Sequence, residues 1–283
     1  MQKAGLMNIR KSIASLGVIA CTLMPLSAMA AESEWAKGEF LQTRILTGTA
    51  SKDGSFPAAL EIHMEPDWHI YWRTPGDGGL PPMLDWEGSK NFKDAVIQWP
   101  APLRFEYEGL YGFGYKDMAL LPLNIVPEKS GEDISLKVHA DIMVCKLLCV
   151  PQKVDLTLDI PASAAPQAET DRLVSQAFSS LPVKEDQAAM KIENVVLGPK
   201  ALVARVYLAN GFDGADLFAE VGPEMTITAK PEFTIDEKDP HYASVVVNAP
   251  EGATDNLADF VTGKTLVLTL TSKGQALERS FKF

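Results

Sequence analysis

The chain has 283 residues and a formal net charge of −11 at neutral pH. This acidic balance argues against nucleic acid as a partner, because phosphate backbones attract basic surfaces. The length is enough for one large domain or two ordinary ones. After residue 30, no stretch approaches 18 consecutive apolar residues, so the sequence predicts no membrane span there.

Residues 1–30 have the pattern of a secretory signal peptide. A basic start precedes an apolar segment at 13–26, and residues 28–30 form a small-residue cleavage site. Cys21 lies in a stretch that would also pass as a lipoprotein cleavage box, although cleavage after residue 30 is favoured. Without residues 1–30 the chain carries 23 basic and 37 acidic side chains, a net charge of −14. We therefore expect a periplasmic protein, in a compartment that permits disulfides.

Two cysteines, Cys145 and Cys149, follow the predicted cleavage site. In one continuous strand they would be about 13 Å apart, whereas a disulfide needs Cα atoms about 4.4–6.8 Å apart. A bridge is feasible if 146–148 form a tight turn between two strands, or if the segment forms one helical turn. The apolar run before Cys145 and the proline at 151 favour the turn. The closed ring is small and gives only about 2 kcal/mol of chain-entropy stabilisation, so the spacing leaves open a structural or a reactive bridge.

The segment between residues 40 and 160 predicts a β-sandwich or barrel. Short apolar or alternating runs are separated by turns rich in Gly, Pro and Asp, and no long helical pattern is present. The predicted strands are 40–46, 56–64, 118–126, 134–140 and 154–160. Four of the five tryptophans lie between positions 68 and 99, and we interpret them as core residues rather than as an aromatic binding surface. Aromatic residues alternate over 105–115, as on a strand or an ordered loop.

Beyond residue 162 the composition changes to that of a linker followed by a helix. One helical face carries the apolar residues Leu173, Val174, Ala177, Phe178 and Leu181. This face predicts a helix that docks on a sandwich, with binding to a partner as the alternative. Thr170 or Asp171 is the predicted N-cap, and Pro182 marks the end.

Residues 185–283 predict a second β-domain without a cysteine or a catalytic cluster. The predicted strands are 192–197, 201–208, 216–220, 225–230, 242–248, 265–271 and 276–283. Residues 252–261 fit a short helix or a long loop. The expected role of this half is spacing or partner docking.

Five motifs occur in a fixed order in the first half of the chain. They are Trp68-His-x-Tyr-Trp-Arg-x-Pro-Gly-Asp-x-Gly-Leu-Pro-Pro82, Ile97-Gln-Trp-Pro-Ala-Pro102, Tyr111-Gly-x-Gly-Tyr115, Leu120-Leu-Pro122 and Val144-Cys-Lys-x-x-Cys-x-Pro151. Over about residues 38–162 the chain resembles the N-terminal periplasmic domain of DsbD-type thiol:disulfide interchange proteins, and within them the suppressor-of-copper-sensitivity B branch.

The resemblance implies an immunoglobulin-like sandwich in which Cys145 and Cys149 cycle between dithiol and disulfide. It also implies an aromatic cap over the cysteines, with Phe105, Tyr107 and Tyr111 as shielding residues. The implied partners are a membrane-embedded thiol reductase and exported client proteins. The sequence contains no transmembrane electron conduit and no thioredoxin-like Cys-x-x-Cys module, so the electron source is expected to be a separate protein.

The residues between the cysteines suggest modest contributions to this chemistry. Leu147 and Leu148 are expected to help keep solvent and oxidants away from the pair. Lys146 is interpreted as a solvated turn residue rather than as an activator of the thiolate.

The complete expectation is an all-β protein of two immunoglobulin-like β-sandwich domains joined by a short helical linker. Its parts are the signal peptide at 1–30, the redox domain at 31–162, the linker at 163–184 and the second sandwich at 185–283. The expected function is thiol–disulfide interchange, as in a protein-disulfide reductase, without a cofactor or a metal site. The alternative is a copper-tolerance or protein-binding module, with a static disulfide or with thiols that bind Cu(I) near Met143.

Overall fold

The structure is a computed structural model that describes residues 32–163, 167–222, 225–250, 252 and 254–283. The predicted signal peptide, the alternative cleavage at Cys21 and part of the predicted linker lie outside these residues. The described chain forms four antiparallel sheets, paired into two β-sandwiches. It therefore has the predicted all-β class. Neither helix in the described ranges is long and apolar enough to cross a membrane.

Ten strands of the described chain build the first sandwich. They are β1 (Ala36–Lys37), β2 (Leu41–Thr47), β3 (Phe56–Met64), β4 (His69–Gly76), β5 (Met83–Asp85), β6 (Leu103–Tyr107), β7 (Leu110–Lys116), β8 (Met118–Ile125), β9 (Ile134–Cys145) and β10 (Cys149–Ile160). One sheet has the order β1-β2-β3-β8, and the other has the order β10-β9-β4-β7-β6, with β5 paired to β9. The predicted strands all form, and those on either side of the cysteines extend to them.

The core of the first sandwich follows from alternation along its strands. β9 buries every second side chain from Ile134 to Val144, which fixes the face that it turns toward the opposite sheet. Trp72 is fully buried in this core, and Trp68 stacks on Phe40 with ring centroids 3.9 Å apart. The other two tryptophans between positions 68 and 99 pack against the core while partly buried. The core interpretation of these tryptophans is confirmed.

The linker contains helix α1 (Ala168–Ser179), which packs on the outer face of β2, β3 and β8. Val174 and Ala177 are buried against this sheet, as predicted for a docking helix. The predicted caps are wrong, because the N-cap is Gln167. The Thr170 hydroxyl, inside the helix, donates to the Gln167 carbonyl at 3.1 Å, and the Asp171 carboxylate accepts a 2.7 Å bond from a backbone N–H of the first sandwich.

The second sandwich is made of β11 (Met190–Leu197), β12 (Ala201–Leu208), β13 (Asp216–Val221), β14 (Met225–Ile227), β15 (Glu232–Ile235), β16 (Tyr242–Asn248), β17 (Thr265–Ser272) and β18 (Gln275–Lys282), with the short helix α2 (Leu257–Val261). Its sheets have the orders β11-β12-β16-β15 and β14-β13-β17-β18. The sequence did not predict β15, whose four residues are all exposed or half-buried. Of the helix and loop alternatives at 252–261, the short helix is confirmed, because α2 spans Leu257–Val261.

The two sandwiches share part of one apolar core. Phe218, on β13 of the second sandwich, is fully buried and belongs to the core of the first. Its ring centroid lies 5.9 Å from that of Trp72 on β4 and 5.0 Å from that of Phe113 on β7. The second sandwich therefore contacts the same strands that carry the candidate site.

Candidate active site

The two cysteines form a disulfide at the tip of the β9–β10 hairpin. They are directly opposite each other in the strand register, with a Cα–Cα distance of 4.1 Å and an S–S distance of 2.06 Å. Residues 146–148 make the connecting turn, so the turn prediction is confirmed and the helical alternative is wrong. The register follows from the alternation of the two strands, because a shift of one residue would turn their apolar side chains to solvent.

The two half-cystines differ in exposure. Cys145 is only 2% exposed, whereas Cys149 is exposed. The cause is their place in the sheet: Cys145 lies on β9, where it is also paired with His69 of β4, and Cys149 begins the edge strand β10. Because attack on a disulfide requires access to a sulfur, Cys149 is the accessible side of the bridge.

Two side chains from β4 form the wall beside the disulfide. His69 and Tyr71 are two residues apart, so they share a face of the strand, and the Tyr71 hydroxyl lies 3.6 Å from Cys149 Sγ. The His69 ring centroid lies 4.6 Å from that of Phe105. Burial, and to a smaller extent the charge of Lys116, lowers the pKa of His69, while burial raises the pKa of Tyr71. At neutral pH both rings are therefore uncharged.

The β6–β7 hairpin forms the opposite wall. Its two central residues, Glu108 and Gly109, have φ of 51° and 82°, as in the type I′ turns that match the twist of a two-residue hairpin. Together with the disulfide and the β4 wall, this hairpin lines a cleft of about 160 Å³. The predicted shielding residues Phe105, Tyr107 and Tyr111 all line this cleft. Tyr107 is at the rim and 53% exposed, so the cleft remains partly open.

The Pro-Gly-Asp-x-Gly segment at the end of β4, residues 75–79, holds the two walls together. The Asp77 carboxylate accepts a 2.7 Å bond from the Tyr111 N–H, and the Asp77 N–H donates to the Tyr111 carbonyl at 2.8 Å. At Gly79, with φ of 93°, a Cβ atom would lie 2.2 Å from the Tyr71 ring. The segment thus needs glycine where it covers Tyr71 and needs Asp77 where it holds the hairpin.

Sequence reasoning missed three residues that help build the cleft, namely His69, Tyr71 and Asp77. The signal was present for the first two, because they alternate with the buried Ile70 and Trp72 on one strand. The strand pairing that brings this face beside Cys145 is a long-range contact, which local periodicity does not reveal.

The turn between the cysteines projects into solvent. Leu147 is 74% exposed and Leu148 is 78% exposed. Leu147 also lines the cleft beside the cysteines, and shielding of the pair by these two leucines stays a prediction. The turn lies beyond the end of the sheet, where no neighbouring strand covers it. Lys146 is also exposed, and its Nζ lies 3.2 Å from the Asp67 carboxylate and 3.2 Å from the Pro66 carbonyl.

The described residues contain no group of three or more His, Cys, Asp or Glu side chains placed to hold a metal ion. Within these ranges, two of the histidines lie against carboxylates instead. The His63 ring is 2.7 Å from Glu61, and the His139 ring is 2.6 Å from Asp155.

Comparisons with known proteins identify relatives of both the sequence and the fold. Residues 39–161 match the family described as thiol:disulfide interchange protein DsbD, N-terminal. The fold is similar to the crystal structure of the N-terminal periplasmic domain of ScsB from Proteus mirabilis, with a TM-score of 0.65 and 21% sequence identity. That alignment covers 89% of this chain and 98% of the other, and therefore spans both sandwiches. No curated protein matches this chain.

Proposed function

We propose, from the match of residues 39–161 to the family described as thiol:disulfide interchange protein DsbD, N-terminal, that Cys145 and Cys149 are a redox pair. The pair receives reducing equivalents from a separate membrane-embedded thiol reductase and passes them to exported client proteins. The activity is that of a protein-disulfide reductase in the periplasm, reached through the N-terminal signal peptide. Residues 31–162 form the redox domain, 163–184 the linker, and 185–283 the second domain.

One observation carries the proposal: the bridge joins an exposed cysteine, Cys149, to a buried one, Cys145, at the edge of an aromatic cleft. A structural disulfide between adjacent strands needs neither the difference in exposure nor the cleft. An exchange site needs both, because one sulfur must meet a partner while the other is kept from competing reactions.

The difference in exposure assigns an order to the exchange steps. In the reduced protein the Cys149 thiolate attacks a client disulfide, forming a mixed disulfide and releasing one client thiolate. The Cys145 thiolate then attacks Cys149 Sγ, which restores the internal disulfide and releases the second client thiolate. Two electrons pass to the client. The membrane partner reverses these steps, with its own dithiol oxidised to a disulfide.

The reduction potential of the Cys145–Cys149 couple tests this function. The protein is equilibrated in glutathione or dithiothreitol buffers, and the fraction of disulfide is read after trapping free thiols. We expect a value in the range of exchange proteins, roughly −120 to −270 mV. A value below about −300 mV would identify a structural bridge and reject the proposal.

The order of steps has its own test with single-cysteine variants. Cys145→Ala leaves the exposed Cys149 as the free thiol, and Cys149→Ala leaves the buried Cys145. We expect the Cys145→Ala protein to react with oxidised glutathione at least about tenfold faster, because exchange depends on access to the thiolate. Equal rates, with both variants folded by circular dichroism, would contradict the assigned order.

A further inference from the structure

A buried arginine joins the β6–β7 hairpin to the second sandwich. The side chain of Arg104, on β6, is 7% exposed, and its guanidinium donates to both carboxylate oxygens of Asp216 on β13 at 3.0–3.3 Å. It also donates to the carbonyls of Thr228 at 2.6 Å and Leu217 at 3.1 Å. Hydrogen bonds to a charged group are among the stronger ones in proteins, so this contact is a firm connection between the two sandwiches.

The same hairpin faces the disulfide cleft with its other side. Phe105, next to Arg104 in sequence, points to the opposite face of the strand, where it lines the cleft beside His69. On the Arg104 face, the guanidinium stacks between the rings of Phe113 and Phe218, with its Cζ 4.7 Å and 4.9 Å from their centroids. The hairpin therefore lies between the redox cleft and the second sandwich.

We propose that Arg104 is a positioning residue through which the second sandwich holds the β6–β7 hairpin as a wall of the disulfide cleft and limits the approach of thiols to Cys149 from that side. The inference rests on the proposed exchange at Cys149. It gives the second half of the chain a definite role, as the support of the cap. Movement of the hairpin away from the cleft requires the bonds between Arg104 and the second sandwich to break or the two sandwiches to move together.

The test compares the rate of disulfide reduction with its equilibrium. Dithiothreitol reduces the bridge when one of its thiolates attacks Cys149 Sγ, Cys145 leaves as a thiolate, and the second dithiothreitol thiol closes a cyclic disulfide. Two variants weaken the contact of Arg104 with Asp216, which we call the clamp. Asp216→Asn removes the carboxylate charge, and Arg104→Lys keeps the positive charge but loses the planar guanidinium that bonds both carboxylate oxygens. We expect each to raise the second-order rate of reduction about tenfold, since a bond to a charged group is lost. The reduction potential should stay unchanged, because a change in access alters the rates of reduction and of reoxidation by the same factor.

Asp236→Asn is the matched control. Asp236 also accepts a bond from an arginine, Arg205, and one from the backbone N–H of Lys238. It directly follows β15, in the sheet of the second sandwich that does not contain β13. The variant should leave the rate unchanged. Hydrogen exchange gives a second readout: the Tyr111 N–H, bonded to Asp77, should exchange faster in the clamp variants only.

The outcomes separate this inference from the proposed function. Rates within twofold of the wild-type value in a folded Arg104→Lys protein, with unchanged exchange at Tyr111, would overturn the role of the clamp while leaving the potential as measured. A wild-type potential below about −300 mV would reject exchange as the function, yet the effect of the clamp on access would still be seen in the rates. If Asp216→Asn reduces the folded fraction, the milder Arg104→Lys variant decides.

Discussion

The Tyr71 hydroxyl lies 3.6 Å from Cys149 Sγ, and burial raises the pKa of this tyrosine. It therefore stays protonated at neutral pH and is able to donate to a thiolate after the bridge is reduced. We predict that Tyr71→Phe slows alkylation of reduced Cys149 by iodoacetamide about threefold at pH 7, because a hydrogen bond to the charged form is lost. The measurement is the rate of alkylation of Cys149, followed by mass spectrometry.

Tyr107→Phe is the matched control for this prediction. Tyr107 lines the same cleft, but its ring is at the rim and 53% exposed. Removal of its hydroxyl should leave the alkylation rate within the error of the wild-type rate. Equal slowing in both variants would show that general polarity of the cleft, rather than the Tyr71 hydroxyl, acts on the thiolate.

His69 predicts a pH dependence of stability. Burial, with a smaller effect from Lys116, lowers its pKa from the ordinary 6.5. As the pH falls through 6.5, His69 therefore binds a proton in the unfolded chain before it does so in the folded cleft. Proton binding stabilises the unfolded state, so the free energy of unfolding falls. We expect His69→Phe to lose less stability than the wild type between pH 7.5 and 5.5, measured by urea unfolding. His241→Phe, at an exposed histidine, should keep the wild-type dependence; the same flattening there would contradict the assignment to His69.

The β6–β7 hairpin has a turn whose glycine can be altered without a clash. Gly109 has φ of 82°, and a Cβ atom there would meet nothing within 4 Å. Gly109→Ala should lower the free energy of unfolding by about 1 kcal/mol, because this backbone conformation is unfavourable for an L-residue with a side chain. Since the strain falls on the cap hairpin, we also predict faster reduction of the Cys145–Cys149 bridge by dithiothreitol.

Gly131→Ala provides a close control in a different turn. Gly131 has φ of 81° and the same open surroundings, and it lies in the connection between β8 and β9. Both alanine variants should lose a similar free energy of unfolding, but only Gly109→Ala should speed reduction. Equal reduction rates at equal stability would show that the hairpin does not limit access to the bridge.

Local pattern was sufficient to predict most elements of this fold. Strands such as β3, β12 and β16 have the predicted bounds, because their alternation and their turn residues are strong local signals. Distance limits excluded a bridge within one strand, and the apolar run before Cys145 and the proline at 151 favoured the turn over a helical geometry. β15 was missed because a four-residue edge strand has little alternation to detect. The caps of α1 were wrong because Thr170 and Asp171 are used inside the helix and in a contact with the first sandwich.

The candidate site was predictable only in part, for a physical reason. The cysteines and the aromatic residues of the cap lie in short segments with recognisable patterns. Tyr71 and Asp77 reach the site through strand pairing and through bonds to Tyr111, which is 34 residues away from Asp77. Contacts at such separations depend on the tertiary fold. The same holds for the exposure of Leu147 and Leu148, which is set by where the sheet ends.

At the scale of the whole molecule, a charged and apolar interface couples the two sandwiches. Arg73, on β4, donates to Glu220 at 2.6 Å and to Glu278 at 2.6 Å, both on the second sandwich. Arg104 makes the corresponding contacts from β6, and Phe218 lies buried in the first core. From the sequence, the second half was expected only to act in spacing or docking. No local pattern shows that the Phe218 side chain packs into the core of the first sandwich. Through these contacts, we expect the second sandwich to contribute to the stability of the first.

Phe218→Ala tests this coupling directly. The substitution leaves a cavity beside Trp72 and should lower the free energy of unfolding by about 3–5 kcal/mol. The altered residue nevertheless belongs to the second sandwich. All five tryptophans lie between positions 35 and 99, so their fluorescence reports only on the first sandwich. We expect the urea midpoint of the first sandwich, followed by tryptophan fluorescence, to fall in Phe218→Ala. Leu217→Ala removes the neighbouring side chain from the core of the second sandwich and should lower the tryptophan midpoint less. A tryptophan midpoint that responds to Leu217→Ala but not to Phe218→Ala would show that the shared core does not stabilise the redox sandwich.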